Sequence, residues 1–214
     1  MARLLAFLTG ALTMLSFAPA GWYLLALLLV LPLLYVFYRC SPRCSAELGF
    51  CYGAGLFLTG TYWLYVSIHV FGEAPLILAI FLMIALVIIM ACYYAATGWL
   101  IARLAGGRPV SFVVIAPAAW VLFEWLRGWF LSGFPWMTLG YAQIDSPLAG
   151  YAPLLGIFGV SFMLMASAGA VTMLLAGSPQ WRLVLAVVAV APWLGGALLG
   201  PVEWTDVSLS LIHI

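Results

Sequence analysis

The run from residue 75 to residue 102, PLILAIFLMIALVIIMACYYAATGWLIA, contains no charged side chain. An α-helix needs about 20 apolar residues to cross the hydrocarbon of a bilayer, with about 17–25 typical. This segment exceeds that requirement, and it has company. Further apolar runs lie at about 4–18, 21–38, 48–68, 110–126, 152–176 and 183–200. The first is short for a crossing and 110–126 is marginal. Only 6% of the 214 residues are charged, against about 25% in soluble domains. A water-soluble globule is excluded. The expected fold is an all-α, polytopic membrane bundle of about seven transmembrane helices, occupying residues 1–202.

The basic residues orient such a bundle, because cytoplasmic loops collect Lys and Arg. All seven are Arg. With the N-terminus inside, Arg3, Arg39, Arg43, Arg103, Arg108 and Arg182 share the cytoplasmic side, and Arg127 alone falls opposite. The C-terminus is then on the outward side, as are Glu73, Arg127, Asp145, Glu203 and Asp206. Arg3 followed by an apolar core and FAPA also fits a cleaved leader. A second apolar run follows at once, which favours a helical hairpin turning at Pro19-Ala20-Gly21.

Several functions are disfavoured by what the runs contain. Net charge is +1 with no basic cluster, so no nucleic-acid partner is expected. Cys40 and Cys44 flank SPR in a short loop without the further ligands a zinc site requires. Neither a metal nor a cofactor is expected. Intramembrane charges mark ion and proton pathways, and here Glu47 and Glu124 lie near the ends of runs, which argues against a pump. Gly49/Gly53 and Gly196/Gly200 form G-x-x-x-G steps suited to close helix packing. His69 stands alone before the C-terminal tail, so no Ser-His-Asp constellation is present.

Residues 133–147, GFPWMTLGYAQIDSP, are the exception to the apolar pattern. The connection they belong to is about 25 residues long, and loops beyond about 12–15 residues without structure of their own tend to be functional or disordered. Disorder is disfavoured by the aromatic content. The loop is expected to be an interfacial or re-entrant element on the outward side. Trp136 and Tyr141 would contact a lipid, with Gln143 and Asp145 addressing a headgroup or amine. Glu124 and Arg127 are three apart and share a helix face. Arg127 would then either pair with Glu124 or meet a phosphate.

GFCYGAGLFLTGTYWLYVSIHVFGEAP (49–75), FEWLRGWFLSGFPWMTLGYAQID (123–145) and PLAGYAPLLGIFGVSFM (147–163) together resemble the bacterial apolipoprotein N-acyltransferases. The resemblance extends over almost the whole chain. It implies an enzyme of the inner membrane that moves an acyl chain from a phospholipid to the N-terminal amine of a diacylglyceryl-cysteine lipoprotein. It also implies a periplasmic nitrilase-like domain with a Glu-Lys-Cys triad, inserted after the seventh helix. Residues 203–214 alternate Val207, Leu209 and Leu211 with Ser208 and Ser210, a strand pattern where that domain would begin. No triad residue follows. Cys40, Cys44 and Cys51 fall at or near the cytoplasmic side and Cys92 lies within a helix, so none is a candidate nucleophile. The expectation is the membrane half of the enzyme, a fragment inactive alone. Trp136 and its neighbours would form the lipid entrance. The rivals are a lipid-binding subunit without chemistry and a small-solute transporter, which would need a polar pathway through the bundle.

Overall fold

The computed structural model describes residues 1–105, 108–130, 133–177 and 179–204. Every apolar run folds as a helix: α1 Ala2–Thr13, α2 Tyr23–Arg39, α3 Pro42–Gly60, α4 Leu76–Ala105, α5 Pro109–Trp129, α6 Ala152–Leu175 and α7 Arg182–Leu199. No strand occurs among the described residues. The strand expected in 203–214 falls at 205–214, outside them.

Local chemistry fixes several helix starts. Ser41 caps α3 by accepting from the Cys44 N–H at 3.4 Å, with Pro42 in the first turn. Pro suits that position because its missing N–H would have no partner there. Cys44 therefore lies inside α3 rather than in a loop. Pro109 opens α5 in the same way.

Length separates these helices into two groups. Leu76–Ala105, Ser111–Trp129, Pro147–Leu175 and Pro179–Leu199 are long and apolar enough to cross a membrane. A fifth span results if α3 is joined to Trp63–Phe71, which continues it after a bend of 51°. Helix α2 has 17 residues, about 26 Å at 1.5 Å per residue, against about 30 Å of hydrocarbon. Helix α1 is shorter still, with 12 residues before the turn Met14–Ser16. The chain is thus an all-helical, multi-pass membrane protein with four to five helices that meet the length of a span. The marginal run at 110–126 proved adequate because α5 continues through Glu124 and Arg127 to Trp129.

Helix α3 is the centre of the packing. Small residues bring its backbone against both neighbours. A Cβ on Gly49 would strike the Tyr94 carbonyl of α4, and one on Gly53 would lie 2.9 Å from Ala91 Cα. That is the close approach such glycine steps permit. Around it sits an aromatic core. Tyr94 lies 5.6 Å from Tyr52, 5.2 Å from Trp120 and 6.1 Å from Phe57, ring centre to ring centre. Apolar side chains point outward along the N-terminal half of α4, with Ile77 82% and Phe81 65% exposed. In water such a face would be a liability; in a bilayer it is the ordinary surface.

Candidate functional site

The expected re-entrant loop is a folded plug. After α5 the chain turns, forms two short helices at Leu139–Gln143 and Pro147–Tyr151, and enters α6. Leu139, Gly140, Ala142, Gln143, Leu148 and Gly150 are buried in it. The turn at Gly133 requires glycine: its φ is +73°, and a Cβ there would collide with the Gly128 carbonyl. Phe134 N–H then donates back to the Arg127 carbonyl at 2.7 Å.

Two side chains of α5 hold this loop from beneath. Arg127, 1% exposed, donates to the carbonyls of Phe134, at 3.1 Å, and Trp136, and to Thr138 Oγ1 at 3.3 Å. Its guanidinium carbon lies 5.1 Å from the centre of the Phe57 ring, a geometry that recovers some attraction for a desolvated cation. Glu124, 3% exposed, accepts through Oε1 from Trp120 Nε1 at 3.1 Å and from the Leu139 N–H at 2.8 Å. The two residues share a helix face, as their spacing requires. They make no ion pair; among the described residues the one ion pair is Arg3–Glu47, at 2.5 Å. The charges are spent on the loop instead, and Arg127 is too buried to meet a phosphate as the molecule stands.

The remaining site residues divide by exposure. Gln143 is buried and donates through Nε2 to the Tyr23 carbonyl at 3.1 Å, tying the loop to the start of α2. Trp136 and Tyr141 are 48% and 49% exposed. They line a cavity of about 470 Å³ with Phe17, Ala18, Met137 and Ile144. Trp136 is flanked by Phe134 at 5.0 Å and Trp63 at 6.2 Å. Asp145 is exposed nearby, its carboxylate beside Gly21. Phe17, Ala18 and Trp63 were not expected at this site. They come from the α1–α2 turn and the bent extension of α3, and no sequence signal links them to this loop.

His69 is structural in its contacts: its Nδ1 lies 2.8 Å from the Ala74 carbonyl, across the turn that leads into α4. Among the described residues, no three His, Cys, Asp or Glu side chains gather closely enough to hold a metal ion.

The architecture defines a multi-pass helical membrane protein with an apolar, aromatic-walled cavity built on a clamped loop. Residues 9–170 match the family model described as the apolipoprotein N-acyltransferase N-terminal domain, and the chain belongs to that family. Three proteins named apolipoprotein N-acyltransferase are similar to it. That of Photobacterium profundum is 44% identical over 168 residues, covering 78% of this chain and 32% of its own length. That of Azotobacter vinelandii is 42% identical over 208 residues, covering 95% and 40%. That of Pseudomonas putida is 41% identical over 208 residues, covering 95% and 41%. The chain therefore spans about a third to two-fifths of the relatives it matches.

Proposed function

We propose that this chain is the membrane domain of an enzyme that transfers an acyl chain from a phospholipid to the N-terminal amine of a diacylglyceryl-cysteine lipoprotein. Residues 1–202 form that domain, and 203–214 begin the periplasmic nitrilase-like domain. The bundle lies in the bacterial inner membrane as about seven spans, α1 and α2 being short ones, with the N-terminus in the cytoplasm. The cavity walled by Trp136 and Tyr141 receives an acyl chain of the phospholipid donor or the lipoprotein acceptor. Asp145, exposed at its edge, faces the acceptor's amine or a headgroup. Glu124, Arg127 and Gln143 serve the same site from below, by fixing the loop that carries the rings.

The observation that supports this reading most is the cavity itself. A pocket of about 470 Å³ with aromatic and aliphatic walls and few polar groups suits a hydrocarbon chain, whose burial contributes about 0.8 kcal/mol per methylene. The Glu-Lys-Cys chemistry implied by the family resemblance belongs outside these residues, so the 214-residue chain is expected to bind lipid without transferring it. A phospholipid carrying a photoreactive group on its acyl chain provides the test. It should label residues 135–144 of the protein in nanodiscs, and Trp136→Ala with Tyr141→Ala should lower that labelling at least several-fold. Labelling spread evenly over the outer face of α4, or unchanged in the double variant, would overturn the assignment. Acyl transfer by this chain alone would overturn its proposed inactivity.

A further inference from the structure

Among the described residues five buried side-chain oxygens have no hydrogen-bond partner, and two of them, the Tyr94 hydroxyl on α4 and Glu124 Oε2 on α5, belong to neighbouring residues. Both residues line one small cavity of about 10 Å³, together with Thr97, Trp120 and Arg127. A space of about that size admits the centre of one water molecule, and buried waters make about three hydrogen bonds to groups otherwise unsatisfied. Unpaired buried hydroxyls and carboxylate oxygens are rare because each forfeits its hydration without replacement.

The two groups are not free to turn toward one another. The Glu124 carboxylate is pinned through Oε1 by Trp120 Nε1 and the Leu139 N–H. The Tyr94 ring is wedged among Tyr52, Phe57 and Trp120. Ser161, the other hydroxyl near this carboxylate, accepts from the Gly140 N–H at 2.8 Å. Thr97 uses its proton on the Tyr93 carbonyl at 2.8 Å, which leaves its oxygen able to accept.

We propose that this cavity is a binding site for a single structural water, which accepts from the Tyr94 hydroxyl and donates to Glu124 Oε2 and Thr97 Oγ1. Each of the three bonds uses an atom with spare capacity. The water joins α4 to the one side chain of α5 that grips the Leu139 amide, so it belongs to the support of the outer loop. It sits among side chains of α4 and α5, with Trp120 and Arg127 beside it.

Two measurements test this. A density map of the protein in nanodiscs, sharp enough to show ordered solvent, should contain a peak within about 3.2 Å of Tyr94 Oη and Glu124 Oε2. An empty cavity, or a direct contact between those two atoms, overturns the proposal. Independently, infrared spectra recorded after exchange into ¹⁸O-labelled water should show an isotope-shifted O–H stretching band that is lost in Tyr94→Phe. No such band in the unsubstituted protein, or a band that persists unchanged in Tyr94→Phe, overturns it too. If Tyr94→Phe fails to fold, the map and the unsubstituted spectrum still decide.

Discussion

Replacing Arg127 by Lys would keep the charge and most of the stem while removing the fork. The guanidinium reaches the Phe134 carbonyl, the Trp136 carbonyl and Thr138 Oγ1 at once; an ammonium on a linear chain can satisfy one of these positions, not all. Hydrogen bonds to a charged group contribute about 1.5–3 kcal/mol each. Losing two gives a ceiling of about 3–6 kcal/mol, and the loop-side partners are only partly buried, so a loss of about 2–4 kcal/mol in loop docking is expected. At about 1.36 kcal/mol per factor of ten, local opening becomes about 30- to 900-fold more frequent. Amide hydrogen exchange reads this directly. The Phe134, Leu139 and Gly140 amides each have a partner in the docked loop, namely Arg127 O, Glu124 Oε1 and Ser161 Oγ. They should exchange faster by that factor, while amides in the middle of α3 and α6 keep their wild-type rates. Unchanged protection at all three would refute the clamp. A uniform acceleration through the whole bundle would show that Arg127 supports the fold generally and not this loop.

Three further outcomes are expected. Gly133→Ala, which places a side chain at φ +73° against the Gly128 carbonyl, should cost about 1–3 kcal/mol and raise protease sensitivity near the turn. Ser167→Ala removes a hydroxyl that donates to the Ala189 carbonyl at 2.6 Å and accepts from Trp193 Nε1 at 2.9 Å; thermal unfolding in detergent should show a loss of about 1–2 kcal/mol, with α7 the first helix to detach. Single cysteines placed at Glu73 and at Arg103, in a background lacking the natural four, should react with a membrane-impermeant maleimide from opposite sides, Glu73 from the periplasm. Labelling of both from one side would reverse or abolish the proposed topology.

The helices were readable because lipid-facing surface needs long apolar runs, and such runs survive any detail of packing. Their ends were less so. Hydropathy closes the fifth run at about residue 126, since Arg127 looks like the edge of the membrane. The helix in fact carries Arg127 inward and continues to Trp129. The loop between α5 and α6 announced itself by composition, and Trp136 and Tyr141 do share a cavity. Its other wall did not announce itself: Phe17 and Ala18 arrive from more than a hundred positions away. Glu124 and Arg127 illustrate the limit of spacing arguments. Three residues apart on a helix predicts neighbours, and neighbours they are, yet each is bound to a loop whose path only tertiary structure reveals. The resemblance to the acyltransferases supplied the family, which the matched domain and relatives bear out. It supplied none of this geometry.

Of the four bonds by which the Arg127 and Glu124 side chains hold the loop, three end on main-chain atoms: the carbonyls of Phe134 and Trp136 and the amide of Leu139. A main-chain handle is indifferent to the side chain it carries. The lining at positions 136, 137, 141 and 144 can therefore be exchanged while the attachment stays intact, much as a tool bit is changed in a fixed chuck. Proteins sharing this clamp are free to tune the width and chemistry of the cavity one ring at a time, without renegotiating the fold that presents it.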